Sequence, residues 1–268
     1  MTPILFLALA AGAAPAAAPP GSPEARYISC AEDVKTNAKA ALESAQAWIQ
    51  KGGGTSARQC LAMAYAGLDR WPDAGSAFDD AAAEAERTRD PRRAELRGAA
   101  GNAWLAAGEP AKARAAFDAA IAAGYPSPAG EGEARLDRAR AEVAQGELPA
   151  ARADIDKALV LIPDESLGWY LSAALAVKER DSTRAHLDIA HAVTLSPGDS
   201  SYLLEAGNIA GLAGEVDAAK RLYDRAAHAQ PDSDAGKAAA SALAANGGLD
   251  APPVPPANSP QPAHAPPK

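Results

Sequence analysis

A short sequence pattern recurs along the chain and restricts the possible folds more than any other feature. Its copies are GLDRWPDAGSAFDDA, AAGEPAKARAAFDAA, AQGELPAARADIDKA, KERDSTRAHLDIAHA and LAGEVDAAKRLYDRA. Alignment of the copies gives a first row of small residues: Ala74, Ala113, Ala151, Ala185 and Ala219. A row of large residues follows: Phe78, Phe117, Ile155, Ile189 and Tyr223. A second small row completes the pattern: Ala81, Ala120, Ala158, Ala192 and Ala226. Such repetition is typical of a stack of similar structural units.

The spacing within each copy predicts a helix with one packed face. Steps of four and three residues place the small, large and small positions on the same side of an α-helix. Prolines follow the last three copies and would end these helices: Pro163, Pro197 and Pro231. A second helix-length segment precedes each copy, and glycines mark several of the turns between them: Gly108, Gly146 and Gly214. Each unit is therefore predicted to be a pair of antiparallel helices.

Composition leads to the same fold class. Hydrophobic residues make up 48% of the chain but aromatic residues only 5%, so much of the apolar content is alanine. Alanine has the highest helix propensity, whereas the residue types that favour strands are scarce here. We therefore predict an all-α protein.

At this point the chain resembles the tetratricopeptide repeat (TPR) family, whose period is 34 residues. The interval from Ala151 to Ala185 to Ala219 has that period, and first-helix residues typical of the family are also present: Gly101, Trp104, Trp169 and Gly207. The resemblance covers about 55–233, in units at about 55–93, 94–131, 132–165, 166–199 and 200–233. It implies a right-handed superhelical solenoid of antiparallel helix pairs.

The ends of a repeat array need covering, because a terminal unit would otherwise expose an apolar face. We expect residues 27–54 to form a helix that covers the first unit, and residues 234–247 to form a capping helix at the other end. The proline-rich segment 248–268 is expected to be a disordered or polyproline-type tail.

The resemblance also implies a binding site, since the first helices of TPR units line a concave groove that binds peptides or partner helices. Matched by position, the groove residues would be Gln59, Met63, Asn102, Arg140, Tyr170, Tyr202 and Asn208. Family members that grip a terminal carboxylate have a lysine four residues before the asparagine. Gly98 and Leu204 occupy those positions here, so a carboxylate clamp is not expected. Asn102 and Asn208 could equally bond a neighbouring helix.

No catalytic motif accompanies these repeats. The sequence has no HExxH, GxSxG, phosphate-binding glycine loop or CxxC motif. His186 and His191 are five residues apart, which places them off a common helical face. We therefore expect no enzyme activity, no metal and no cofactor. The net charge of −8 and the absence of a basic stretch argue against a nucleic-acid partner.

The beginning of the sequence suggests export. Residues 4–14 are an apolar run too short to cross a bilayer, and small residues follow it, as in a signal peptide. We predict that residues 1–20 are a signal peptide or exported leader, although no basic residue precedes the run, and that the mature chain has no membrane span. In an oxidising compartment Cys30 and Cys60 could form a disulfide; the alternative is two buried thiols.

Two function classes remain after these exclusions. The first is an exported, periplasmic TPR scaffold that binds a protein segment in envelope assembly or trafficking, where the envelope part depends on the leader and on family analogy. The second is a non-catalytic repeat subunit that supports a partner enzyme complex. A large apolar interface would favour the second class, and a transient polar groove would favour the first.

Overall fold

The computed structural model describes residues 19 and 21–247, and this part of the chain is all-α. The predicted leader at 1–20, apart from residue 19, and the predicted tail at 248–268 lie outside the described residues. The described helices are α1 Pro23–Gln50, α2 Gly54–Ala66, α3 Trp71–Thr88, α4 Arg93–Ala106, α5 Pro110–Ala123, α6 Pro128–Gln145, α7 Leu148–Leu161, α8 Ser166–Glu179, α9 Ser182–Leu195, α10 Ser200–Leu212, α11 Val216–Ala229 and α12 Asp234–Ala245. No helix among them is long and apolar enough to cross a membrane.

The repeat rows identified in the sequence form the core of the helix pairs. Every alanine of the two small rows is at most 5% exposed, and every large residue of the middle row is at most 9% exposed. Consecutive helices pack against each other in the pairs α2/α3, α4/α5, α6/α7, α8/α9 and α10/α11. The TPR-like, all-α prediction is thus confirmed. The small rows allow neighbouring helices to approach closely, and the large row fills the space between them.

The chain divides into two compact units between Ala123 and Gly124. The first unit contains α1 to α5, and the second contains α6 to α12. In the second unit, α12 packs against both α10 and α11, with Ala239 fully buried beside Leu203 and Tyr223. This helix therefore lies where the sequence predicted a C-terminal cap.

Helix α1 differs from the single covering helix that the sequence predicted. It begins at Pro23 and contains a non-helical residue, Asn37, with φ −155° and ψ 77°. The Asn37 side chain accepts a hydrogen bond from the Ala40 N–H at 3.1 Å, as an N-cap does. Arg26 lies 4.4 Å from the ring centre of Trp48, whereas a straight helix would separate these residues by about 33 Å. Segments 23–36 and 38–50 therefore fold back on each other as a helical hairpin.

The turns inside the helix pairs need a left-handed backbone residue. Gly108, Gly146 and Gly214 supply it, with φ between 72° and 80°. The equivalent residues of the α2/α3 and α8/α9 pairs are Asp69, with φ 55°, and Arg180, with φ 61°. Left-handed backbone costs a non-glycine residue about 1–2 kcal/mol, so arginine at this turn is unfavourable for folding alone.

Candidate partner-binding surface

In the first unit, the fold of α1 covers two of the predicted groove residues. The Gln59 amide donates to the Tyr27 hydroxyl at 2.9 Å and accepts from the Arg92 guanidinium at 3.2 Å. The Tyr27 hydroxyl also lies 3.5 Å from the Met63 sulfur. Gln59 and Met63 thus contact segment 23–36 of α1 and are only partly exposed. The sequence prediction missed this because it treated α1 as one straight helix.

The two cysteines fasten the same segment to α2. Cys30 and Cys60 form a disulfide with a Cα–Cα distance of 6.0 Å, and both residues are buried. The bond joins segment 23–36 to the first helix of the next pair. Asn102, the remaining groove residue predicted in this unit, lies exposed on α4, directly after Gly101.

In the second unit, two predicted tyrosines form an aromatic pair between neighbouring first helices. The rings of Tyr170 on α8 and Tyr202 on α10 stack with centres 5.0 Å apart. Tyr170 is half-buried, and burial raises the pKa of its phenol, with a smaller contribution from the Glu205 carboxylate. Tyr202 is only 9% exposed. Tyr170 therefore presents the accessible ring, and Tyr202 supports it from within the core.

Arg140 and Asn208 differ in their exposure and in the number of hydrogen bonds that they form within the protein. Arg140 is exposed on α6 and donates to the Asp137 carboxylate at 2.9 Å. Asn208 is half-buried on α10; its amide donates to Glu205 at 3.2 Å and accepts from the Tyr223 hydroxyl at 3.1 Å. Asn208 thus holds the core aromatic of its own helix pair, which is the neighbour-bonding role that the sequence left open.

An apolar pocket of about 160 Å³ lies between the first helices α6 and α8, and we call it the α6–α8 pocket. Its walls include Arg140, Val143, Ile155, Leu171, Leu175 and Lys178. The floor is closed by Ile155 of the large repeat row, and the two cationic side chains are exposed at the surface. Of the predicted groove residues, only Arg140 lines this pocket.

A second apolar pocket, of about 280 Å³, lies between α8 and α10, and we call it the α8–α10 pocket. Its walls include Val177, Arg180, Ala185, His186, Ile209 and Leu212. Leu212 is 76% exposed, so its side chain leaves apolar surface at the mouth of the pocket. No residue of this pocket was among the predicted groove residues.

The two pockets are copies of one another. Val143, Leu175 and Lys178 of the first correspond to Val177, Ile209 and Leu212 of the second, each 34 residues further along the chain, which is the repeat interval from Ala151 to Ala185 to Ala219. This offset was present in the sequence. Apolar first-helix residues repeated at this offset are therefore a sequence signal for the pockets, whereas most of the predicted groove residues were polar.

Buried ion pairs and hydrogen bonds join the first and second helices of these units. The buried Asp154 carboxylate on α7 accepts from Arg135 at 3.0 Å and from Arg138 at 2.5 Å. One repeat later, Asp188 on α9 accepts from the buried Ser172 hydroxyl at 2.5 Å. Buried polar contacts of this kind fix the relative positions of the helices. Within the described residues, no cluster of three His, Cys, Asp or Glu side chains could hold a metal ion.

Comparison with known proteins places this architecture in the TPR fold. No protein-family model and no curated protein sequence matches the chain. Among solved structures, PilW, a widely conserved type IV pilus biogenesis factor, gives a TM-score of 0.67 at 20% identity, covering 81% of this chain and 97% of that chain. YrrB, a TPR protein with an unusual peptide-binding site, gives 0.52 at 17% identity, covering 73% and 96%. BtubC from P. vanneervenii gives 0.60 at 15% identity, covering 88% and 98%.

Proposed function

We propose that this protein is a non-catalytic scaffold that binds a segment of another protein on the first-helix face of its second unit, formed by α6, α8 and α10. The observation that carries the proposal is the pair of open apolar pockets on this face. Binding sites for side chains are typically apolar concavities with a few polar groups at the edge. The peptide-binding site named for YrrB, which has the same fold, supports the same kind of function.

We further propose that the protein is exported and acts in cell-envelope assembly or trafficking. The apolar leader of the sequence and the Cys30–Cys60 disulfide support export, since disulfides persist in oxidising compartments. The likeness to a pilus biogenesis factor supports an envelope process. Cell fractionation tests this directly. Recovery of the chain with reduced cysteines in the cytoplasm would contradict it.

Crosslinking capture from intact cells tests the binding face. The native chain is compared with a variant that carries Arg140→Ala, Tyr170→Ala and Lys178→Ala, three accessible positions on the first-helix face. A matched variant carries Lys157→Ala and Val160→Ala on α7, where both side chains are exposed and line neither pocket. Circular dichroism confirms that both variants are folded.

We expect one or more proteins to be captured by the native chain and by the α7 variant, and to be lost by the first-helix variant. Equal capture by all three would contradict binding on this face. It would direct attention to the second helices.

A further inference from the structure

The Lys and Arg side chains that line the two pockets are opposite in sign to the net charge of the chain. The protein carries a net charge of −8, with 34 acidic and 26 basic residues. Yet Arg140, Lys178 and Arg180 line the pockets, and no acidic side chain does so within the described structure. Chance placement in an acidic protein would favour carboxylates. The pockets are therefore an apolar surface with a locally basic edge.

Two of these cations are not committed to other contacts. Glu179, the carboxylate between Lys178 and Arg180, pairs instead with Arg152 at 2.7 Å. Neither Lys178 nor Arg180 forms an ion pair within residues 21–247. Both are exposed at the end of α8, where they can reach a bound molecule.

Arg180 is one of two non-glycine residues at the left-handed turn position of the described helix pairs, the other being Asp69 of the α2/α3 pair. The equivalent turns of neighbouring units have glycine, Gly146 and Gly214, and Arg180 adopts the same left-handed backbone at a cost that glycine avoids. Unfavourable backbone of this kind is often retained at binding sites. Here the cost places a guanidinium at the edge of the α8–α10 pocket.

We propose that the two pockets bind one acidic protein segment, with an apolar side chain in each pocket and carboxylates against Lys178 and Arg180. This rests on the proposed function and specifies the partner's chemistry. Neighbouring packed helices are about 10 Å apart, so the two anchors are about 10 Å apart. Residues i and i+3 of a polyproline-type segment have this separation and share one side of the chain.

Fluorescence anisotropy with defined peptides tests the proposal on the purified chain. The probe is a labelled peptide, Asp-Leu-Asp-Pro-Leu-Asp, which carries leucines at i and i+3. One control peptide has lysine in place of aspartate, and a second has alanine in place of leucine. We expect binding of the first peptide alone, weakening as NaCl rises from 50 to 500 mM because salt screens exposed charge pairs.

Arg180→Gly separates binding from folding. The variant removes the strained residue, so we expect it to melt at the same temperature as the native chain or higher, yet to bind the acidic peptide about fivefold more weakly. Lys178→Ala should have a similar effect on binding, and the two together should weaken it about twentyfold. Leu212→Ser should weaken binding through loss of the apolar edge. Lys157→Ala and Val160→Ser are the matched exposed controls and should change neither property.

The outcomes distinguish this proposal from the proposed function. The proposal of an acidic partner is wrong if the lysine peptide binds as well as the acidic peptide, or if the Arg180→Gly variant binds the acidic peptide with unchanged affinity. Neither result contradicts the proposed function, partner binding on the first-helix face. If the chain lacking residues 248–268 binds the acidic peptide and the full chain does not, the pockets are occupied by the chain's own tail, and the proposed partner is likewise wrong.

Discussion

Gly207 and Gly211 lie one turn apart on α10. We expect the substitution of glycine by alanine to have opposite effects on stability at these two positions. A Cβ atom on Gly207 would lie 2.5 Å from Cε1 of Tyr223, which is inside van der Waals contact. A Cβ atom on Gly211 would have its nearest neighbour, the Tyr223 hydroxyl oxygen, at 3.7 Å, an ordinary contact. Gly207 is buried and Gly211 is exposed. The pair thus separates core packing from helix propensity within one helix.

The magnitudes follow from these two terms. Alanine is more favourable than glycine in a helix interior by about 1 kcal/mol; this gain applies at Gly207, and part of it applies at Gly211, the penultimate residue of α10. Overpacking a core costs about 1–3 kcal/mol, and this cost applies only at Gly207. We therefore expect Gly211→Ala to raise the free energy of unfolding by about 0.5–1 kcal/mol. Gly207→Ala should lie about 1–3 kcal/mol below it, between neutral and clearly destabilised.

Urea unfolding followed by circular dichroism measures both variants against the native chain, and equal m-values ensure that the midpoints are comparable. Gly101 gives an independent repeat of the experiment in the first unit, because its Cβ would lie 2.6 Å from Cζ of Phe117. If Gly207→Ala and Gly211→Ala stabilise the chain equally, α10 does not approach the Tyr223 ring at Gly207 as closely as the structure shows.

Three further outcomes are expected. Replacing Cys30 and Cys60 by serine should lower the free energy of unfolding by about 3–4 kcal/mol, because the disulfide closes a loop with a sequence separation of 30 residues. An unchanged unfolding midpoint in urea would contradict a stabilising disulfide. Asp154→Ala should cost about 3 kcal/mol, since it removes the buried carboxylate that pairs with both Arg135 and Arg138, whereas loss of less than 1 kcal/mol would show that these ion pairs are dispensable. The raised pKa of Tyr170 predicts that its phenol ionises above pH 10. The stabilising contribution of the phenol is therefore complete below pH 10 and is lost as the pH rises through the folded-state pKa. An ultraviolet titration in which Tyr170→Phe removes no late-ionising component would refute this.

Local periodicity was sufficient to predict most of the fold. The small and large rows share a helical face at fixed spacing, and burial of that face is what stacked helix pairs require. The hairpin within α1 was not predictable in this way. Its break depends on Asn37 capping a new helix, and an asparagine inside a polar helix-forming stretch is compatible with both a continuous and a broken helix.

The binding surface was less predictable than the fold, for a related reason. Polar residues matched by position, such as Gln59 and Asn208, proved to bond within the protein, because α1 and Tyr223 offer them partners that are distant in sequence. The pockets are formed by gaps between apolar residues of successive units, for example Val177 and Ile209. The sequence pattern predicts that these residues belong to the core. The unfilled space between them depends on their three-dimensional arrangement.

The central claim is that a partner binds on the first-helix face of the second unit. The most direct test places a photoreactive amino acid at Leu212 on α10 and, in a separate chain, at Val160 on α7. These side chains are 76% and 80% exposed, so they are equally available to a partner. We predict that light crosslinks a discrete protein to the chain carrying the group at position 212 and not to the one carrying it at 160. Crosslinking of the same protein at 160 alone would contradict the claim.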